Sequence, residues 1–76
     1  MTWEELRKKA EEIYAEFCFG YEKHSFGIQL ANCVMYFRES GDIDIEFDIG
    51  KTNVGGVDII RNRTYDQMYA ILEALK

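Results

Sequence analysis

The stretch IQLANCVMYFRESGDIDIEFDIG, residues 28–50, decides the fold that the sequence predicts. Acidic and apolar residues alternate in its second half, as they do along a strand that buries one face. In its middle, Glu39, Ser40 and Gly41 fit a three-residue hairpin loop with Gly41 in a left-handed conformation. The stretch therefore predicts a β-hairpin.

The predicted loop also sets the register of the two strands. With this loop, the residue numbers of the two partners in each pair sum to 80. One face of the hairpin is then wholly apolar. The apolar pairs are Phe37 with Ile43, Met35 with Ile45, Cys33 with Phe47 and Ala31 with Ile49. The pairs on the other face are Arg38 with Asp42, Tyr36 with Asp44, Val34 with Glu46 and Asn32 with Asp48. A slip of one residue would mix the two faces, so we expect this register.

Helices are predicted on both sides of the hairpin. Thr2 and Glu5 form a capping box at the start of the first helix, and Thr64 and Gln67 form one at the start of the second. The first helix has an apolar stripe and a stop at Gly20; the stripe is Trp3, Leu6, Ala10, Ile13 and Phe17. The stripe of the second helix is Met68, Ile71, Leu72 and Leu75.

The remaining segments complete the predicted topology. Residues 21–27 are predicted as a loop, 51–53 as a turn and 54–62 as a third strand, so the order is α-β-β-β-α in a single domain over residues 1–76. We expect an α+β fold, a three-stranded antiparallel meander with two helices packed on one face. The other face then carries four acids, which we call the acidic ladder: Asp42, Asp44, Glu46 and Asp48.

Charge and composition limit the partners. Nine basic and 14 acidic residues give a net charge of −5. This balance opposes direct binding to nucleic acid or to an anionic membrane and favours a basic protein partner. No apolar run approaches the roughly 20 residues of a membrane span, and no signal peptide is recognisable. We therefore expect a cytoplasmic protein with Cys18 and Cys33 as core thiols.

The sequence matches known catalytic, metal-binding and phosphate-binding motifs only in part. His24, the only histidine, lies in a predicted loop outside any motif. Counted from the first ladder acid, Phe47 and Asn53 stand where an EF-hand requires Gly and Glu. The residues GKT at 50–52 spell the end of a phosphate-binding loop, but Ile45 occupies the position of its first glycine. We predict a non-enzymatic protein without a metal or a cofactor.

The acidic ladder is the strongest functional candidate. Its carboxylates stand about 6.7 Å apart along the strand, a spacing that resembles that of phosphates along one nucleic-acid strand. Such a row on a rigid face would fit a basic groove that normally holds nucleic acid, with Tyr36 as an anchor beside it. The alternative interpretation is that the acids only keep the outer face of the strand solvated.

The two ends of the chain resemble short uncharacterised proteins of phages and prophages of Gram-positive bacteria. The matching residues are Trp3, Glu4, Glu5, Leu6, Asn62, Arg63, Thr64, Gln67 and Met68. These are cap and core positions, so the resemblance implies a fold and not a function. In size, acidity and element order the chain is also similar to anti-CRISPR proteins, which often mimic the DNA that a nuclease reads. That analogy implies an anti-defence role and transfers no binding residue.

Two main functional hypotheses follow. The first is a binding module, encoded by a phage or other mobile element, that inhibits a basic host or defence protein through the acidic ladder and Tyr36. The second is an oligomer, such as a homodimer, that sequesters a small nucleotide-like ligand between subunits. The outer face of the sheet and the edge at Gly55 and Gly56 would form its interface, and Lys51, Arg61 and Arg63 would supply the positive charge. A third hypothesis, a small enzyme using His24 and a cysteine, names no reaction.

Overall fold

The computed structural model describes residues 1–47 and 56–76. The described elements are helix α1 (Trp3–Tyr14), a 3-10 turn (Ala15–Phe17), strands β1 (Cys18–Glu22), β2 (Ser25–Gln29), β3 (Cys33–Arg38), β4 (Ile43–Phe47) and β5 (Gly56–Ile60), and helix α2 (Tyr65–Leu75). The strands form one antiparallel sheet in the order β1-β2-β3-β4-β5. The predicted α+β class is confirmed, whereas the predicted number of three strands is wrong.

The prediction was wrong because residues 18–29 fold as a hairpin of their own. Helix α1 ends at Tyr14, well before the predicted stop at Gly20, and Ala15 follows it with a positive φ of 47°. Strands β1 and β2 then pair across a turn at residues 23–24, which had been predicted as part of a loop. Gly20 lies inside β1 with a φ of 67°, where the register shifts as at a β-bulge.

The predicted register of the central hairpin is confirmed. The structure pairs Cys33 with Phe47, Val34 with Glu46, Met35 with Ile45, Tyr36 with Asp44 and Phe37 with Ile43. The loop closes as predicted, because the backbone N–H of Arg38 donates to the carbonyl of Asp42 at 2.9 Å. Gly41 takes the positive φ that this loop requires, 102°.

Two other predicted pairs, Ala31 with Ile49 and Asn32 with Asp48, involve residues outside strands β3 and β4 as the structure describes them. Ala31 and Asn32 lie in the turn between β2 and β3. Their predicted partners, Ile49 and Asp48, lie outside the described residues, as does the predicted turn at 51–53. The third predicted strand is present as β5, which pairs with β4.

Both predicted helix starts are confirmed. The Thr2 hydroxyl accepts the Glu5 N–H at 3.1 Å, and a Glu5 carboxylate oxygen accepts the Thr2 N–H at 3.1 Å. Thr64 and Gln67 make the same reciprocal pair at the start of α2. Each box satisfies backbone donors that the first helical turn leaves unpaired, so it marks the helix start locally.

Both helices pack on the same face of the sheet. The buried core combines one stripe from each helix with one face of the strands: Trp3, Leu6, Ala10, Tyr14, Cys18, Phe26, Ile28, Cys33, Met35, Phe37, Ile43, Met68 and Leu72. The Trp3 ring stacks on Phe26 at 5.2 Å and meets Tyr65 of α2 at 5.7 Å. At the other end, the Tyr14 hydroxyl donates to the Leu72 carbonyl at 2.8 Å. Contacts at both ends show that α1 and α2 run parallel.

The predicted stripes differ from this core at their ends. Ile13 and Ile71 are partly buried and pack against the core, as their place in the stripes predicts. Phe17 is 54% exposed because the chain has left α1 before it, and Leu75 is 42% exposed at the end of α2. The helix stripes are therefore correct where helix and sheet overlap and wrong beyond that overlap.

The face of the sheet opposite the helices contributes none of the buried core side chains just named. We call it the open face, and its register positions are Phe19, Glu22, Ser25, Gly27, Gln29, Val34, Tyr36, Arg38, Asp44, Glu46 and Ile59. As predicted, apolar residues of the central hairpin face the helices and its acids face away from them.

Candidate functional site

The structure brings three of the five predicted site residues together on the open face. Asp44 and Glu46 lie in β4 with their side chains on the same side of the sheet, and Tyr36 of β3 stands directly opposite Asp44. Asp42 precedes β4 and ends the hairpin loop. Asp48 lies outside the described residues. The described part of the acidic ladder is therefore a pair of strand carboxylates with a third at the loop.

Asp44 is paired within the chain. Nε and Nη2 of Arg38 both donate to Oδ2 of Asp44, at 2.9 and 2.6 Å. The sequence predicted Arg38 opposite Asp42, and the backbones do meet there, but the guanidinium reaches along the strand to the next acid. The Asp44 side chain is only 23% exposed. Its charge is thus largely compensated by Arg38.

Asp42 supports the connection between β5 and α2. Its Oδ1 accepts the backbone N–H of Asn62 at 3.4 Å, and its Oδ2 lies 4.0 Å from Nη1 of Arg61. Asn62 has a φ of 59°, a conformation that Asn tolerates better than most residues. The carboxylate therefore has a structural function at this turn.

Glu46 differs from Asp42 and Asp44 because it has no partner among the described residues. It is exposed near the end of β4, opposite Val34. Within residues 1–47 and 56–76, its carboxylate makes neither a hydrogen bond nor an ion pair. Among the described residues, none would have to be displaced for a basic group to approach Glu46.

An aromatic pair, Phe19 and Tyr36, lies beside these acids. The sequence predicted Tyr36 as part of the site but not Phe19. The rings of Phe19 and Tyr36 meet at 6.0 Å with an interplanar angle of 83°. They belong to β1 and β3, and Gly27 of β2 lies between them without a side chain. Phe19 had been predicted in a helix. The signal for a strand was the spacing of Phe26 and Ile28, which predicts a partner strand across the turn.

Apolar surface extends across the open face. Phe19 is 37% exposed at one side, and Ile59 of β5 is 47% exposed at the other, opposite Asp44. The face therefore combines two aromatic rings, an aliphatic side chain, an Arg–Asp pair and a Glu carboxylate. Aromatic residues and Arg are enriched in protein interfaces.

His24 does not form a catalytic pair with a thiol. Its Nδ1 lies 2.6 Å from Oε1 of Glu39, and its side chain is 69% exposed. Cys18 begins β1 and His24 follows the end of that strand, so at about 3.3 Å per residue they stand far apart. Strand β3 begins at Cys33 and ends at Arg38, and Arg38 pairs with Ser25, the residue after His24. Cys33 therefore lies at the end of β3 that is distant from His24. Both cysteines are buried as predicted.

The structure describes only some of the residues named for a nucleotide-like ligand between subunits. Lys51 and Gly55 lie outside the described residues, and Arg61 faces Asp42. The described residues do form an open hollow of about 390 Å³, but its walls lack any basic side chain. They are Tyr14, Phe17, Gln29, Leu30 and Ala31.

Outside residues 48–55, no group of three or more His, Cys, Asp or Glu side chains could hold a metal ion. No helix in the two described ranges is long and apolar enough to cross a membrane.

Comparisons of the chain with protein-family models, with curated proteins and with solved structures give no match.

Proposed function

We propose that this protein is a non-enzymatic binding module of a phage or other mobile element. In this proposal it acts in the cytoplasm of the bacterial host, where the open face binds a basic defence protein and inhibits it. The observation that carries the proposal is the juxtaposition of Tyr36, Phe19 and Glu46 on a sheet face that neither helix covers.

Charge supports a basic partner. The chain carries a net charge of −5, and the open face contributes Glu22, Asp44 and Glu46 against Arg38. A negative surface of this kind accelerates the encounter with a positively charged partner and disfavours acidic ones. The same charge opposes direct binding to nucleic acid.

The aromatic residues support a protein partner. Tyr36 and Phe19 present ring surface on a five-stranded sheet, whose backbone is held by hydrogen bonds on both sides of β3. Rigid aromatic side chains lose little conformational entropy on binding and often supply most of the affinity of an interface. The open face thus offers both anchors and charge.

Mimicry of nucleic acid is a narrower form of this proposal. Asp44 and Glu46 stand about 6.7 Å apart along β4, which suits a groove that normally holds phosphates. However, Arg38 compensates Asp44, and Asp42 is engaged with Asn62. We therefore assign the aromatic pair a part in binding equal to that of Glu46, the ladder acid without a partner among the described residues.

The proposal is tested by affinity capture from a bacterial host lysate with three forms of the protein. These are the wild type, an open-face variant (Asp44→Asn with Glu46→Gln) and a matched control (Glu4→Gln with Glu11→Gln). Glu4 and Glu11 are exposed on α1, so both variants remove two negative charges. Mass spectrometry then identifies the captured proteins.

We expect a basic protein that the wild type and the control capture and that the open-face variant loses. The wild type, and not the open-face variant, should inhibit the activity of that protein. Equal capture by both variants would show that Asp44 and Glu46 do not contribute to binding and would overturn the charge-dependent interface proposed for the open face. Capture of an acidic protein through the open face would contradict the assigned partner chemistry.

A further inference from the structure

We infer that the open face binds an arginine side chain of the partner, with its guanidinium packed on the Tyr36 ring and hydrogen-bonded to the Glu46 carboxylate. This inference rests on the proposed function and names the group that the surface recognises. It concerns the end of the open face where β3 and β4 present Val34, Tyr36 and Glu46.

The register places the ring and the carboxylate within reach of one side chain. Tyr36 pairs with Asp44, so Glu46 is its diagonal neighbour on the adjacent strand. Diagonal neighbours on one face of an antiparallel pair lie about 7–8 Å apart. A guanidinium that lies on the ring, within about 6 Å of its centroid, can direct N–H groups towards the carboxylate.

The residues around the Tyr36 ring and the Glu46 carboxylate favour the binding of a cation. Phe19 meets Tyr36 nearly at right angles and limits the orientations of its ring. The Glu46 carboxylate has no internal partner within the described residues, whereas Asp44 has one in Arg38. A cation at this place would contact the Tyr36 ring and a carboxylate that has no partner among residues 1–47 and 56–76.

Arginine fits this place better than lysine. Its planar guanidinium stacks on aromatic rings and presents several donors to a carboxylate at once, whereas an ammonium is a compact and strongly hydrated charge. The open face already contains this contact in intramolecular form, because Arg38 donates through two nitrogens to Asp44. A second copy of the chain is a poor occupant, since each copy carries a net charge of −5.

The test uses three synthetic peptides and the full-length chain. The peptides share a Gly-Ser background and carry four arginines, four lysines or four citrullines, the last being neutral and similar in shape to arginine. Affinities are measured by isothermal titration calorimetry at about 20 mM salt, because exposed charges are little screened there. Backbone amide spectra of the titrated protein locate the contact.

Four variants accompany the wild type. Tyr36→Leu removes the ring and keeps an apolar side chain, Tyr36→Phe keeps the ring, and Glu46→Gln removes the charge. Glu11→Gln removes one charge on α1 and serves as the control. Urea unfolding of each variant establishes that it is folded at the temperature of the titration.

We expect the arginine peptide to bind more tightly than the lysine peptide, and the citrulline peptide to bind least. Tyr36→Leu and Glu46→Gln should each weaken binding of the arginine peptide about two- to five-fold, in line with an exposed cation–π contact. Tyr36→Phe should retain the wild-type affinity, Glu11→Gln should have less effect than Glu46→Gln, and the largest amide shifts should fall on Val34, Tyr36 and Glu46.

The outcomes separate this inference from the proposed function. Equal affinity for arginine and lysine peptides, or equal effects of Glu46→Gln and Glu11→Gln, would overturn the arginine site. If lysate capture still depends on the open face in that case, the binding module stands and only the recognised group is wrong. If substitutions on the open face change neither the peptide affinity nor the capture, both the arginine site and the proposed function are wrong.

Discussion

The ring of Phe19 on β1 lies over Gly27 on β2, in the space that a side chain of Gly27 would occupy. A Cβ atom at Gly27 would come within 2.7 Å of Cζ of Phe19. The same ring meets Tyr36 on β3 at 6.0 Å. The missing side chain at Gly27 therefore allows an edge-strand residue to reach across β2 and contact the central strand.

Gly27→Ala should displace the Phe19 ring and destabilise the protein by about 1 kcal/mol, since aromatic pairs contribute roughly 0.5–1.5 kcal/mol beyond the area they bury. Urea unfolding measures the change. In a Phe19→Ala background the same substitution should be neutral or stabilising, because no ring obstructs the new methyl group and Gly within a strand costs about 0.5–1 kcal/mol relative to Ala. Equal effects in both backgrounds would contradict this contact.

Leu72→Ala should cost about 2–5 kcal/mol of unfolding free energy, because Leu72 is fully buried between the helices and the sheet. Leu75→Ala is the matched control, since Leu75 belongs to the same helix and is 42% exposed. We expect a change of about 0.5 kcal/mol or less for this control. Similar unfolding midpoints for the two variants would place α2 in a different rotation on the sheet.

Tyr14→Phe should reveal a stabilising contact that depends on pH. The Tyr14 hydroxyl donates to the Leu72 carbonyl at 2.8 Å, so its removal should cost about 1 kcal/mol at pH 8. Burial, with a contribution from Glu73, raises the pKa of Tyr14 in the folded protein. A raised folded pKa means that the stability is complete below the unfolded value of about 10 and is lost as the pH rises through the folded pKa.

The stability difference between wild type and Tyr14→Phe should therefore be constant between about pH 7 and 9 and should shrink above about pH 10. Urea midpoints measured at several pH values test this, and the other tyrosines cancel because both proteins contain them. A difference that grows above pH 10 would contradict the assigned direction of the pKa shift.

Arg38→Gln should strengthen binding to a basic partner. The substitution releases Asp44 and makes the net charge one unit more negative than −5. Lys8→Gln is the control, since it makes the same change in net charge at an exposed position of α1. We expect a faster association for Arg38→Gln than for the control, with a stronger dependence on salt.

This binding is measured with the arginine peptide and with any captured protein at about 50 and 150 mM salt. The loss of stability should stay within about 1 kcal/mol, the usual range for an exposed ion pair. Weaker binding by Arg38→Gln would indicate that Arg38 itself contacts the partner, and that the acids do not act by charge.

Much of the candidate site could be predicted because it lies on one hairpin. The pairing of Tyr36 with Asp44 follows from the three-residue loop and the two-residue period of the strands, both of which are local properties. The helix caps are equally local, since each box involves four consecutive residues. The ion-pair partners of the ladder acids could not be predicted. Arg38 pairs with Asp44 and Arg61 lies near Asp42, and which acid each arginine contacts depends on side-chain geometry.

The hairpin of β1 and β2 was not predicted because apolar and polar residues do not alternate regularly along these strands. Phe17, Cys18 and Phe19 are consecutive apolar residues, which suit the end of a helix as well as a strand. Gly20 and Gly27 resemble helix stops and loop positions. In the folded protein, however, one glycine forms a bulge and the other lies under an aromatic ring. Those functions depend on neighbours from other strands.

By itself, the sequence determined the starts of both helices, the register of β3 with β4 and the separation of acids from apolar residues on β4. All of these depend on contacts between residues close in the chain. Only the tertiary structure decided that the chain leaves α1 at Tyr14 and adds two strands to the sheet. The physical reason is that Cys18, Phe26 and Ile28 are buried in one core with residues of both helices, and such distant contacts stabilise strands where the local pattern is ambiguous.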